Sequence, residues 1–214
     1  MKRYTAGGAI LLILVALVGW RWSGDEAGYP IVNEQPTGKA IIALGDSLTA
    51  GVGAPAGQGY VDRLERSLGI KILNKGVSGD TTDGAKHRLD ADVLRHDPRI
   101  VLLCLGGNDF LRRLDRDIAF SNLETMIRRI QEKGALVILI GHDFPLGGSW
   151  AVKYQDLARR TGCPFVPAVL DGILGDEALM ADSIHPNAAG YERFAEKVEK
   201  VLAKYLEQPA PSSR

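Results

Sequence analysis

Ser47 lies in Gly45-Asp46-Ser47-Leu48-Thr49-Ala50-Gly51, directly after the apolar run Lys39-Ala40-Ile41-Ile42-Ala43-Leu44. A short β-branched run stopped by glycine reads as a buried first strand entering a tight loop. That puts the serine at a strand's C-terminal end, where parallel α/β folds collect ligands, and makes it a candidate nucleophile. A helix N-cap is the structural alternative for such a serine. Downstream, Asp182-Ser183-Ile184-His185-Pro186-Asn187 presents an imidazole from a loop, because Pro186 biases His185 away from helical geometry. An aspartate three residues earlier can fold back onto one ring nitrogen while the other faces Ser47. Nucleophile, base and orienting carboxylate would then be complete. A developing oxyanion also needs donors. Gly79 lets a backbone N–H approach with no Cβ in the way, and Asn108, after a double glycine, offers a side-chain amide.

Positioning these residues requires alternating strands and helices. Tyr60–Leu68 carries Val61, Leu64 and Leu68 on one helical face and stops at Gly69. Residues 70–74 read as a second strand, and 82–97 as a polar helix with Leu89, Val93 and Leu94 inward, ended by Pro98. Residues 99–105 form the most continuous apolar run, which marks a central strand covered on both faces. Ile118, Leu123, Met126, Ile127 and Ile130 recur at helical spacing; residues 135–140 give a fourth strand, 150–160 a helix, 164–168 a short fifth strand and 188–206 the last helix. The pattern predicts a three-layer α/β domain with a mostly parallel sheet and all four polar clusters on one edge.

In order and separation, Gly45-Asp46-Ser47-Leu48, the block around Gly79, Gly106-Gly107-Asn108-Asp109 and Asp182-Ser183-Ile184-His185-Pro186 resemble the four blocks of the SGNH (GDSL) hydrolases. The likeness runs from Lys39 to about Leu206 and is greatest to the arylesterase, thioesterase and lysophospholipase branch. It implies a flavodoxin-like fold with strand order 2-1-3-4-5, with Ser47, His185 and Asp182 as triad and Gly79 and Asn108 as oxyanion donors. It implies no cofactor and no metal. The chain departs from that branch after the fourth strand: Gly141-His142-Asp143-Phe144-Pro145-Leu146-Gly147-Gly148 stands where a segment with proline and asparagine is usual. His142 and Asp143 read as ordinary loop residues, with pocket lining as the alternative.

Two other functions fit parts of the pattern. A flavodoxin-like binding module could use Ser47 and Thr49 to cradle a phosphate but leaves Asp182 and His185 without work. A metal-dependent phosphoesterase could draw on Asp46, Asn108, Asp109, His142 and His185, although the histidines are few and scattered. The glycines of residues 51–57 do not open a helix directly and no phosphate-loop lysine is present, so nucleotide binding fits poorly.

Lys plus Arg equals Asp plus Glu, at 26 each, so no basic surface points to nucleic acid. Residues 1–22 carry a positive end and an all-round apolar core, as in a secretory signal or membrane anchor. Bulky Trp20 and Trp22 replace a small-residue cleavage site, so we expect a retained anchor with the domain on the extracytoplasmic, periplasmic or cell-surface side; a secreted product of cleavage is the alternative. Residues 23–38 read as a tether and 207–214 as a polar tail. The expected partners are a small-molecule or lipid ester and, through the N-terminal segment, a membrane; the domain is expected to act as a monomer. Cys104 interrupts an apolar run and reads as a buried thiol.

Overall fold

The computed structural model describes residues 28–142 and 148–206. Five parallel strands, β1 (Ala40–Gly45), β2 (Ile72–Gly76), β3 (Pro98–Cys104), β4 (Leu136–Ile140) and β5 (Phe165–Val166), form one sheet in the order β2-β1-β3-β4-β5. Between them run the one-turn α1 (Ser47–Ala50), α2 (Tyr60–Leu68), α3 (Thr82–Asp92), α4 (Gly107–Leu111), α5 (Arg116–Gln131) and α6 (Gly148–Thr161); α7 (Ala188–Leu206) closes the domain.

Successive side chains of the central strands go to opposite faces, and both faces are covered. Ile41, Ala43, Ile100, Leu102, Ile138 and Ile140 pack with Tyr60 and Leu64 of α2 and Phe194, Val198 and Leu202 of α7. Ile42, Leu44, Val101, Leu103, Val137 and Leu139 pack with Leu89 of α3, Leu123, Met126 and Ile127 of α5 and Tyr154 and Leu157 of α6. The chain therefore changes face between β1 and β3. In open parallel sheets the crevice outside the strand ends at that reversal is where ligands bind, and Ser47 and Asn108 follow those two strands.

Several boundaries differ from the sequence reading. β2 lies two residues further on, because the apolar pair Ile70 and Ile72 draws the reading toward Gly69 while Lys75 and Gly76, which end the strand, carry no hydrophobic signal. α3 stops at Asp92, a 3₁₀ turn covers Leu94–His96, and Pro98 opens β3 instead of merely ending the helix. A first strand residue is one of the few sheet positions that tolerates proline. Ser47 and Asn108 are not in loops: each lies in the first turn of a short helix.

Half of the expected tether is fastened down. The Tyr29 hydroxyl donates to the Cys163 carbonyl at 2.8 Å, Val32 N to Gly162 O at 2.9 Å, and Asn33 Nδ2 to Gln131 O and Ala135 O at 2.8 and 2.9 Å. These partners precede β4 and β5, so residues 29–37 form a strap along the sheet edge opposite the polar clusters. The anchor segment 1–22, the start of the tether and the tail 207–214 lie outside the described residues. No described helix is long and apolar enough to cross a membrane.

Candidate active site

Asp46 caps α1: its Oδ1 accepts the Leu48 N–H at 3.0 Å, and the following Ser47 is turned toward the end of the sheet. The cap is thus the aspartate, which frees the serine hydroxyl. Across the cleft, Asp182 Oδ1 accepts the backbone N–H groups of Ile184 and His185, both at 2.8 Å, folding the loop into a tight turn. Its Oδ2 meets His185 Nδ1 at 2.8 Å, and His185 Nε2 lies 3.0 Å from Ser47 Oγ. The imidazole bond, helped by the two N–H donors, pulls the Asp182 carboxyl down to about 2. An ionised carboxylate only accepts, so the ring proton sits on Nδ1 and Nε2 is left to accept from the serine.

Two further loops meet these residues. Gly79, at φ 77°, is in the left-handed region, and Asn108 is the second residue of α4. Asn108 Nδ2 donates to the Asp80 carbonyl at 2.9 Å and, more loosely, to Asp46 Oδ2 at 3.3 Å. Two oxygens facing one amide atom fix that atom as the nitrogen. α4 is itself held from outside the cleft. Asp109 accepts from Thr82 N and Thr82 Oγ1 at 3.0 and 2.7 Å, and the Tyr154 hydroxyl donates to Leu105 O at 2.6 Å.

Ser47, Gly79, Asn108 and His185 line one cavity of about 330 Å³, at the small end of ligand pockets. Its apolar walls are Leu48, Phe110, Leu111, Leu170, Leu174 and Ile184. Asp182 is not on the wall but behind His185. His142 is on the wall, against the ordinary-loop reading: it is 1% exposed, with Nε2 3.9 Å from Cys104 Sγ. Burial holds its imidazole down to about 4, so it is neutral in the folded protein. Asp46, also buried, has its carboxyl pushed up to about 6 by desolvation, with the Leu48 N–H opposing the rise. Nothing in the type or spacing of the apolar wall residues, or in a single histidine after a strand, announces such placement in the sequence. Asp143 lies outside the described residues.

The geometry also bears on the other readings. Thr49 turns inward to the Tyr60 hydroxyl at 3.0 Å and is buried, so it is not available to a phosphate beside Ser47. Asp109 is occupied by Thr82, and among the described residues no three His, Cys, Asp or Glu side chains gather as metal ligands. Both cysteines are buried and free, as expected for Cys104.

The sequence pattern of the GDSL-like Lipase/Acylhydrolase family matches residues 43–193, which span every element of this site. The chain belongs to that family. Within the family it is 30% identical over 188 residues to "Esterase TesA" of Pseudomonas aeruginosa, covering 82% of this chain and 94% of that protein. It is 31% identical over 180 residues to an "Arylesterase" of Vibrio mimicus, covering 78% and 89%. The crystal structure of a TesA superposes with a TM-score of 0.75 at 32% identity, covering 78% of this chain and all of that one. GDSL-family membership makes the chain a hydrolase of ester bonds and agrees with the parallel sheet order described above.

Proposed function

We propose that the protein is a serine esterase in which Ser47 is the nucleophile, His185 the general base and then acid, and Asp182 its orienting carboxylate. The observation that carries this reading is the continuous Ser47–His185–Asp182 relay at 3.0 and 2.8 Å. As Ser47 Oγ attacks the ester carbonyl carbon, its proton passes to His185 Nε2, and the ionised Asp182 stabilises the imidazolium. The carbonyl oxygen, now negative, takes donors from Gly79 N–H and Asn108 Nδ2. At rest both Nδ2 hydrogens are engaged, and the 3.3 Å contact to Asp46 is the weaker one. That hydrogen is the one the oxyanion would take over. The tetrahedral adduct collapses as His185 returns the proton to the leaving alcohol, and water then frees the acyl group by the same route.

The small apolar cavity fits carboxylic esters with small acyl or aryl groups, and its open rim at Leu111 and Ile184 would admit longer chains, including thioesters and lysophospholipids. A panel of nitrophenyl esters, acyl-thioesters and lysophospholipids ranks these classes. Ser47→Ala is expected to abolish turnover with the fold intact, and an organophosphonate to add its mass to the Ser47 peptide of the wild type. Wild-type turnover in Ser47→Ala overturns the mechanism. We further propose that residues 1–22 are retained as a membrane anchor that holds the domain on the extracytoplasmic side. Cell fractionation with N-terminal sequencing tests it, and a soluble product beginning after residue 20 would mean a cleaved signal.

A further inference from the structure

Arg88, on α3, does not line the cavity, yet it is bonded to the backbone at the ends of β1 and β2 and to the side chain of Asp80 in the turn that carries Gly79. Its Nη2 donates to Gly45 O at 3.0 Å, one peptide before Asp46 and two before Ser47. Its Nη1 donates to Lys75 O at 2.9 Å at the end of β2 and to Asp92 Oδ2 at 2.8 Å. Its Nε donates to Asp80 Oδ2 at 2.7 Å, immediately after Gly79. Gly45 and Lys75 belong to the last two paired rows of β1 and β2, so their carbonyls lie close enough for one side chain to reach both. A planar fork of five donors can reach the end of β1 and the end of β2 with its following turn at once, which a single ammonium cannot.

Asp80 passes this restraint on to the site. Its Oδ1 accepts the Thr81 N–H at 3.0 Å, its N–H donates to Val77 O at 3.1 Å, and its carbonyl receives Asn108 Nδ2 at 2.9 Å. No side-chain or backbone group of Asp80 is idle. Val77 N also donates to Gly45 O at 3.0 Å, so the 77–80 turn and the end of β1 share one carbonyl with Arg88. Arg88 and Asp80 are both mostly buried, at 19% and 10% side-chain exposure, which keeps the pair from being screened as a surface ion pair would be.

We propose that Arg88 is a positioning residue for the oxyanion side of the site. Through Asp80, whose carbonyl holds Asn108 Nδ2, it sets where that amide stands relative to Ser47, and it does so without touching substrate. The proposal rests on the oxyanion role given above to Asn108 and Gly79.

The test is a kinetic cycle on the full chain with a nitrophenyl ester, using Arg88→Lys, Asn108→Ala and the double variant. Arg88→Lys keeps the charge and loses the fork. It is expected to lower kcat roughly 10–100-fold, the scale of a misplaced catalytic group, with KM and melting temperature close to wild type. The double variant should be no slower than Asn108→Ala alone, because both changes act through one donor. Arg88→Ala, where it folds, should recover turnover with added guanidinium, which a loss of packing would not. Unchanged kcat in Arg88→Lys, or losses that multiply in the double variant, overturn the proposal while leaving the oxyanion reading standing. Wild-type kcat in Asn108→Ala overturns the oxyanion reading and this proposal together.

Discussion

At the scale of residues, two buried titratable groups on the cavity wall work against each other. Asp46 has its carboxyl raised from 3.8 to about 6, and His142 its imidazole lowered from 6.5 to about 4. The folded state binds the Asp46 proton more tightly than the unfolded chain, so Asp46 costs stability as pH rises from 3.8 through 6. His142 refuses its proton when folded and costs stability as pH falls from 6.5 through 4. Each shift is worth about 3 kcal/mol over its window, and over the shared span the two slopes offset. Urea unfolding at pH 7 and pH 4.5 should separate them: Asp46→Asn loses stability on acidification relative to wild type, and His142→Gln gains it. Parallel curves for all three proteins would show that neither group titrates with folding. Activity follows a different group. Asp182→Asn should cost several orders of magnitude in kcat because the amide favours the wrong tautomer at His185. Wild-type kcat in Asp182→Asn would argue against the histidine base. The five residues of the proposed chemistry could be singled out because they fall in four ordered polar blocks, three just after strands and one just before the last helix. His142 and Arg88 could not, since their roles come from burial and from long-range hydrogen bonds that leave no local pattern.

At the scale of elements, what the sequence revealed follows how strongly each element is patterned. α2 and α7 have the bounds read from their apolar spacing, because each lays one stripe against a covered sheet face. β2 slipped because its last residues, Lys75 and Gly76, offer little to read. Its far end matters nonetheless: Gly76 lies so close to the backbone of Thr49 and Ala50 that a Cβ would overlap Ala50 N. Gly69, which ends α2 at φ 65°, faces open space. Gly69→Ala should therefore cost about 1 kcal/mol of stability, the left-handed penalty alone, and leave turnover intact. Gly76→Ala should lower both, since it pushes on the helix that carries Ser47. Equal effects on kcat from the two changes would refute a close-packed α1.

At the scale of the whole molecule, the five-stranded order and the crevice at its reversal were expected, whereas the strap of residues 29–37 was not. Residues without apolar periodicity read as free chain, and the strap is held by carbonyls before β4 and β5, with Ile31 and Tyr29 packed against the two cores and Pro36 buried, a pattern too irregular to read. Asn33 concentrates that attachment, with two amide bonds and a left-handed φ of 55° that asparagine tolerates. Asn33→Ala should lose about 1–2 kcal/mol with kcat unchanged, because the strap is remote from the catalytic edge. A loss of kcat there would mean that the two edges communicate.

The strap also decides which way the enzyme looks. The chain leaves the domain from the edge where the strands begin, and the cleft opens where they end, about 20 Å of strand away plus the loops at either side. Whatever surface holds residues 1–22 would thus have the cleft turned from it. An enzyme anchored as proposed would meet its esters by three-dimensional encounter with the surrounding phase rather than by a two-dimensional search of the anchoring bilayer. With residues 1–22 as the proposed anchor, turnover should track the concentration of dispersed ester and be indifferent to ester confined in the anchoring membrane.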